Sequence, residues 1–138
     1  AFPTTDIPVV DIPALSGRVH DLVRNTVFPF IRKAYNLKAD ADFDFNDLFV
    51  VKYDAAAGQQ KKLSAHRDGA SFSFTVLLNP ASEFKGGGTW YQNFDKVIAA
   101  ERGDIIIHHG SQKHAGREIS EGRRYLMIGF LGQKGDCE

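Results

Sequence analysis

This sequence is poor in the features that usually declare a protein's class. Among its 138 residues there is a single cysteine, Cys137, next to the last position. One thiol cannot close an internal disulfide or build a thiolate zinc cluster, so any metal site here has to be made of His and carboxylate. Net charge is equally lacking, because 17 basic and 17 acidic side chains cancel and the pI lies near 7.2. No basic field attracts a phosphate backbone, which argues against nucleic acid as a partner, and no acidic excess favours disorder. Apolar runs of the ~20 residues that a membrane span needs are missing as well. Internal repeats and low-complexity segments are not found. The chain opens on Ala1 rather than Met, which leaves a removed leader or upstream domains open.

What is present is 43% hydrophobic residues, eleven phenylalanines, thirteen glycines and five histidines. A chain of this length forms one domain and buries roughly two-thirds of the surface that its unfolded form exposes, with no need of a covalent staple. Pro3, Pro8 and Pro13 around short apolar pairs predict an extended arm lying on the domain. Leu15, Val19, Leu22, Val23, Val27, Phe30, Ile31 and Ala34 recur at steps of three and four, the spacing of one helix face. Pro29 should kink that helix or split its last turn, and Asn36 should stop it. Residues 40–47 read as an acidic turn, since their carboxylates lack the spacing of a calcium loop.

Beyond Asp47 the chain breaks into short β-rich runs at 48–53, 71–78, 89–92, 96–99, 104–108 and 124–131. Short strands with no helical pattern between them predict an antiparallel sandwich or barrel, with a jelly roll as the best fit. Residues 1–46 are then arm and helix, and 47–131 the β core of a single domain over 1–138. Gly86, Gly87 and Gly88 lack the Lys and the helix of a phosphate loop and read as a hairpin or bulge.

His66 and Asp68 stand two apart, so in an extended chain they project to the same side while Arg67 points away. By itself this triplet is common and usually a surface turn. His114, expected in a glycine-bounded turn after strand 104–108, completes two imidazoles and one carboxylate, the facial set that holds non-haem Fe(II) and leaves open positions. His108 and His109 face opposite sides of a strand, and core or edge packing is the expectation for both. His20 reads as a helix rim residue.

Arg124 alternates onto the face of Leu126, Ile128 and Phe130, the expected core side. A guanidinium turned into an apolar barrel costs several kcal/mol unless an anion meets it. That anion is either an internal carboxylate or a ligand. Few inward carboxylates are expected beyond Asp68, so a small dicarboxylate spanning metal and Arg124 is the natural partner. Tyr53 shares a face with Phe49 and Val51, where its hydroxyl either reaches a ligand or bonds to backbone. Ser71, Ser73 and Thr75 form a hydroxyl-bearing face that lines the pocket or meets water. Trp90 either flanks an entrance or staples the sheet.

Together, Phe49 to Tyr53, His66-x-Asp68 with Ser71-Phe72-Ser73, the three glycines, His114-x-Gly116 and Gly122-x-Arg124-Tyr125 resemble the Fe(II)- and 2-oxoglutarate-dependent dioxygenases. The likeness is greatest to the catalytic domain of procollagen lysyl hydroxylases and weaker to prolyl 4-hydroxylases. It implies a mainly β fold, a double-stranded β-helix with a supporting N-terminal helix. It implies Fe(II) on His66, Asp68 and His114, and 2-oxoglutarate paired with Arg124; Tyr53, from its place on the strand, is the candidate for a further cosubstrate contact. The activity implied is hydroxylation of a C–H bond using O2, with succinate and CO2 formed and ascorbate as an accessory. A peptidyl lysine is the first substrate expected, before peptidyl proline or a small molecule. A jelly-roll module that only binds an acidic ligand, and a cupin-like enzyme using another metal, are the rival readings.

Overall fold

The structure is a computed structural model that describes residues 5–135. Cys137 and Pro3 lie outside the described residues. Among the described residues, ten strands form two antiparallel sheets. The larger runs β1 (Asp6–Pro8), β2 (Phe43–Asp54), β10 (Ile119–Gln133), β4 (Phe72–Leu77) and β8 (Ile105–His109), with β5 (Phe84–Gly86) paired to the start of β10. The smaller runs β3 (Leu63–His66), β9 (His114–Gly116), β6 (Thr89–Tyr91) and β7 (Lys96–Ile98). This is the double-stranded β-helix expected from the sequence. Several boundaries differ, however. The acidic stretch expected as a turn opens β2 at Phe43, and the arm contributes β1, so the sheets draw on residues before 47. Strands β1, β3, β5 and β9, at three or four residues each, are too short to show an alternation of their own.

Helix α1 (Pro13–Leu22) passes through one π-helical turn, Val23–Val27, into α2 (Phe28–Ala34). The irregularity expected at Pro29 therefore falls just before it. Proline offers no N–H and its ring crowds the carbonyl four residues back, which belongs to Asn25, and a widened turn there relieves the clash. Asn36 ends α2 at φ 52°. Its N–H bonds the Lys33 carbonyl at 3.3 Å and that of Leu37 bonds Arg32 at 2.8 Å, the paired pattern of a left-handed helix stop.

Both faces of the larger sheet are buried, against different partners. Phe43, Leu48, Phe72, Phe74, Met127 and Leu131 pack on Val23, Val27, Phe28 and Ile31 of the helices. Phe49, Val51, Tyr53, Leu77 and Leu126 face the other way, toward the smaller sheet. Alternation alone marked the second face of β10 as the core side, but the larger apolar cluster is on the helix side. A bulge reconciles the two halves of β2. Phe130 pairs with Asp47 and Leu131 with Phe45, so Asn46 is an extra residue. Phe43 and Phe45 thus join the helices together with Leu48 and Val50, despite their opposite parity.

Candidate metal and cosubstrate site

The space between the sheets is a cavity of about 330 Å³. His66, Asp68, His114, Arg124 and Tyr53 all line it. Strand register explains why residues so far apart in sequence meet. In the smaller sheet His66 pairs with His114, and His114 with Tyr91, so three rings lie in a row. In the larger sheet Ser73 pairs with His108, and Tyr53 with Arg124. Asp68 sits in the loop after β3 between these rows. His114, expected in a turn, is the first residue of β9.

The Asp68 loop is held against the turn after β8. Asp68 N–H donates to the Gly110 carbonyl at 2.9 Å, and Arg67 Nε to the Ser111 carbonyl at 3.1 Å. Gly110 has to be glycine for this approach, since a Cβ there would lie 2.0 Å from the Ala70 carbonyl oxygen. Side-chain direction thus comes from loop packing rather than from strand alternation.

His66 Nε2 lies 3.3 Å from Asp68 Oδ1, and His114 Nε2 lies 3.5 Å from Asp68 Oδ2. The other ring nitrogens face backbone, His66 Nδ1 at 2.7 Å from the Ser64 carbonyl and His114 Nδ1 at 2.9 Å from the Gln112 carbonyl. A carbonyl only accepts, so each Nδ1 donates to it and each Nε2 is turned toward the carboxylate. Three ligand atoms, all within 4.8 Å of one another, then share a centre that calls for positive charge. The donor set fits Fe(II), which accepts imidazole and carboxylate on one face. The charges respond accordingly. Burial works to raise Asp68, but hydrogen bonds from His108 and His66 bring its carboxyl far below the usual range. The bond to Asp68 pushes His66 up, whereas burial pulls His114 down.

Arg124 is 5% exposed. Its Nη1 reaches the Gly88 carbonyl only at 3.5 Å, and its guanidinium stands 5.4 Å over the Tyr53 ring. Among the described residues, no carboxylate lies within 4.0 Å of it, so the internal partner that the sequence left open is not found. Tyr53 is 2% exposed, and burial raises its hydroxyl against the opposing pull of Arg124. Gly116 makes room for it, since a Cβ there would come 2.8 Å from the Tyr53 hydroxyl. The glycines 86–88 all have positive φ, between 78° and 85°, and carry the chain from β5 to β6.

The remaining sequence expectations divide. Ser73 and Thr75 line the cavity, while Ser71 Oγ accepts from Gln133 N–H at 3.0 Å. Trp90 is away from the cavity, with its Nε1 donating to Asp95 at 2.7 Å and Arg117 over its ring at 5.3 Å. His20 Nδ1 bonds the Ser16 carbonyl and its ring meets Phe45 on the helix side. His109 packs on Phe72 and Tyr35, as expected of a core or edge residue. His108 does not follow that expectation. It is 4% exposed, with Nε2 at 3.1 Å from Asp68 Oδ2. Its place opposite Ser73 is set by register, which no local signal reveals.

No family model matches the chain. Curated relatives do. The chain is 30% identical over 135 residues to the procollagen lysyl hydroxylase and glycosyltransferase of Acanthamoeba polyphaga mimivirus, with 95% of this chain and 14% of that protein covered. It is 31% identical over 137 residues to the human multifunctional procollagen lysine hydroxylase and glycosyltransferase LH3, with 91% of this chain and 18% of that protein covered. Its curated relatives are procollagen lysyl hydroxylases. These relatives match the family suspected from the motifs, and the chain spans under a fifth of their length. Solved structures agree on the fold. An oxidoreductase of the 2OG-Fe(II) oxygenase family from Burkholderia pseudomallei matches at TM-score 0.69 and 16% identity, over 85% of this chain and 57% of that one. The viral collagen prolyl hydroxylase vCPH from Paramecium Bursaria Chlorella virus-1 matches at 0.62 and 18%, over 83% and 71%. Among the described residues, His66, Asp68 and His114 form a group that could hold a metal ion. Among the described residues no helix is long and apolar enough to cross a membrane.

Proposed function

We propose that residues 1–138 form a single oxygenase domain that hydroxylates a C–H bond of a peptidyl lysine, or of a peptidyl proline, and converts 2-oxoglutarate to succinate and CO2. One observation carries this reading: a buried arginine with no carboxylate partner among the described residues lines the same cavity as a convergent His-Asp-His group. Fe(II) held by His66, Asp68 and His114 supplies, with O2 and 2-oxoglutarate, the oxidising power for the hydroxylation. The chain's own residues orient and enclose. Arg124 takes the distal carboxylate of the cosubstrate through its two-pronged donor face, the geometry that best compensates a desolvated guanidinium. Tyr53, stacked beneath it, presents its hydroxyl to the same ligand and keeps its proton, because burial disfavours the phenolate. Leu126, Ile128 and Phe130 wall off water on the adjoining face.

The test is turnover of the purified chain with Fe(II), 2-oxoglutarate, ascorbate and lysine- or proline-containing peptides. Succinate formation with a mass gain of one oxygen on a peptide is the expected result. If correctly loaded protein makes no succinate with any candidate substrate, the oxygenase reading fails. Binding of 2-oxoglutarate without turnover would point to a binding module, and activity with zinc or manganese alone to a cupin-like enzyme.

A further inference from the structure

A buried polar chain ends on Asp68 and is not accounted for by metal binding or cosubstrate binding. Tyr91, 2% exposed, has its hydroxyl 2.8 Å from His108 Nδ1. His108 Nε2 is 3.1 Å from Asp68 Oδ2, and Ser73 Oγ donates to the same oxygen at 2.7 Å. The direction of each bond follows from chemistry. An ionised carboxylate only accepts, so His108 carries its proton on Nε2, and in the neutral ring Nδ1 accepts from the Tyr91 hydroxyl. Burial keeps that hydroxyl protonated. Asp68 Oδ2 thus receives two donors from β4 and β8, whose Ser73 and His108 are direct register partners. Oδ1 receives neither of these donors and faces His66 Nε2 at 3.3 Å, while His114 Nε2 lies 3.5 Å from Oδ2.

We infer that Tyr91, His108 and Ser73 are positioning residues that occupy Asp68 Oδ2 and make Asp68 a one-oxygen metal ligand through Oδ1. The inference rests on the His66, Asp68 and His114 reading above. A carboxylate free to turn could chelate an ion through both oxygens and take up a coordination position that the cosubstrate or dioxygen needs. Two donors on one oxygen, backed by Tyr91, prevent the turn. Nothing in the local sequence distinguishes His108 from His109, and only the sheet orders them.

The experiment uses Co(II) as the probe, added anaerobically to the whole chain, with affinity read by calorimetry and coordination by the visible absorption of the bound ion. His108→Leu is expected to weaken Co(II) binding by about ten- to a hundredfold and to change the absorption bands. His108→Gln, which keeps an N–H donor, should stay within about threefold of the parent. Tyr91→Phe and Ser73→Ala should fall between the two, and they preserve the test if His108→Leu does not fold. Parent-like affinity and spectrum in His108→Leu and Ser73→Ala would overturn the clamp while leaving the metal site intact. Equal losses in His108→Gln and His108→Leu would also overturn it, because the donor would then be irrelevant. If the parent chain does not bind Co(II), the metal-site reading itself falls and the clamp with it.

Discussion

Replacing Arg124 by methionine should make the ligand-free protein more stable and the cosubstrate much harder to bind. Both effects follow from one fact, that a 5% exposed guanidinium has no carboxylate within 4.0 Å among the described residues. In the free protein the charge is desolvated and, among the described residues, has the Tyr53 ring and a long contact to Gly88 in return. Exchanging such a group for an apolar one of similar length is commonly neutral or stabilising by about 1–4 kcal/mol. At roughly 4 °C per kcal/mol for a domain of this size, Tm should rise by about 2–8 °C if half of that stabilisation is realised. With ligand the sign reverses. Two hydrogen bonds from a charged donor, each about 1.5–3 kcal/mol, are lost on the distal carboxylate. Affinity for 2-oxoglutarate should then drop by about a hundredfold or more. Scanning calorimetry of Co(II)-loaded protein, with and without 2-oxoglutarate, reads both. At a hundred times Kd the parent should gain about 2.7 kcal/mol from the ligand, and Arg124→Met at the same concentration almost none. A variant that is less stable without ligand and binds 2-oxoglutarate as tightly as the parent would show that the guanidinium has an internal role, refuting the reasoning.

Asp68→Ala should abolish Co(II) binding in calorimetry and succinate formation with Fe(II), since two imidazoles alone leave the ion without its anionic ligand. Tyr53→Phe should weaken 2-oxoglutarate by about 1 kcal/mol, roughly fivefold, while the melting temperature stays near the parent's, because the ring packing is retained. Phe74→Ala, at a position with 0% exposure between the sheet and the helices, should cost about 3–5 kcal/mol in urea unfolding without altering cosubstrate affinity per folded molecule. Asp54 accepts from Ala56 N–H, opposed by burial and aided by Arg123, so its carboxyl is held below the ordinary value. That contribution is present above the unfolded pKa of about 3.9 and is lost as pH falls through the folded value. The stability gap between the parent and Asp54→Asn, measured in urea, should therefore be larger at pH 7 than at pH 2.5.

Legibility tracked the range of the interaction that places each residue. The face of Arg124 was readable because strand alternation is a local rule, and the structure puts it on the cavity side with Leu126, Ile128 and Phe130. The stop at Asn36 was readable for the same reason, since a left-handed cap depends on one residue and its neighbours. The start of β2 was not. Phe43 and Phe45 are out of phase with Leu48 and Val50, and the bulge at Asn46 that reconciles them exists only against β10. His108 was misplaced for a related reason: its neighbours 105–107 show a buried strand, but which of two adjacent histidines meets Asp68 depends on pairing with Ser73.

By itself, the sequence pointed to a class of chemistry. With one cysteine, no net charge and a His-x-Asp pair followed by His114 and an inward arginine, few metal and anion arrangements were left, and the motif order carried the family resemblance that the relatives bear out. Only the tertiary structure decided how that chemistry is held. Register sets His66 beside His114 and Tyr53 beside Arg124, and loop packing through Gly110 aims Asp68 between them. It also decided what Arg124 lacks and which groups hold Asp68 Oδ2. These are contacts between residues far apart in sequence, as Tyr53 and Arg124 are, and their energies depend on burial and partner distance, quantities that exist only once the sheets have closed.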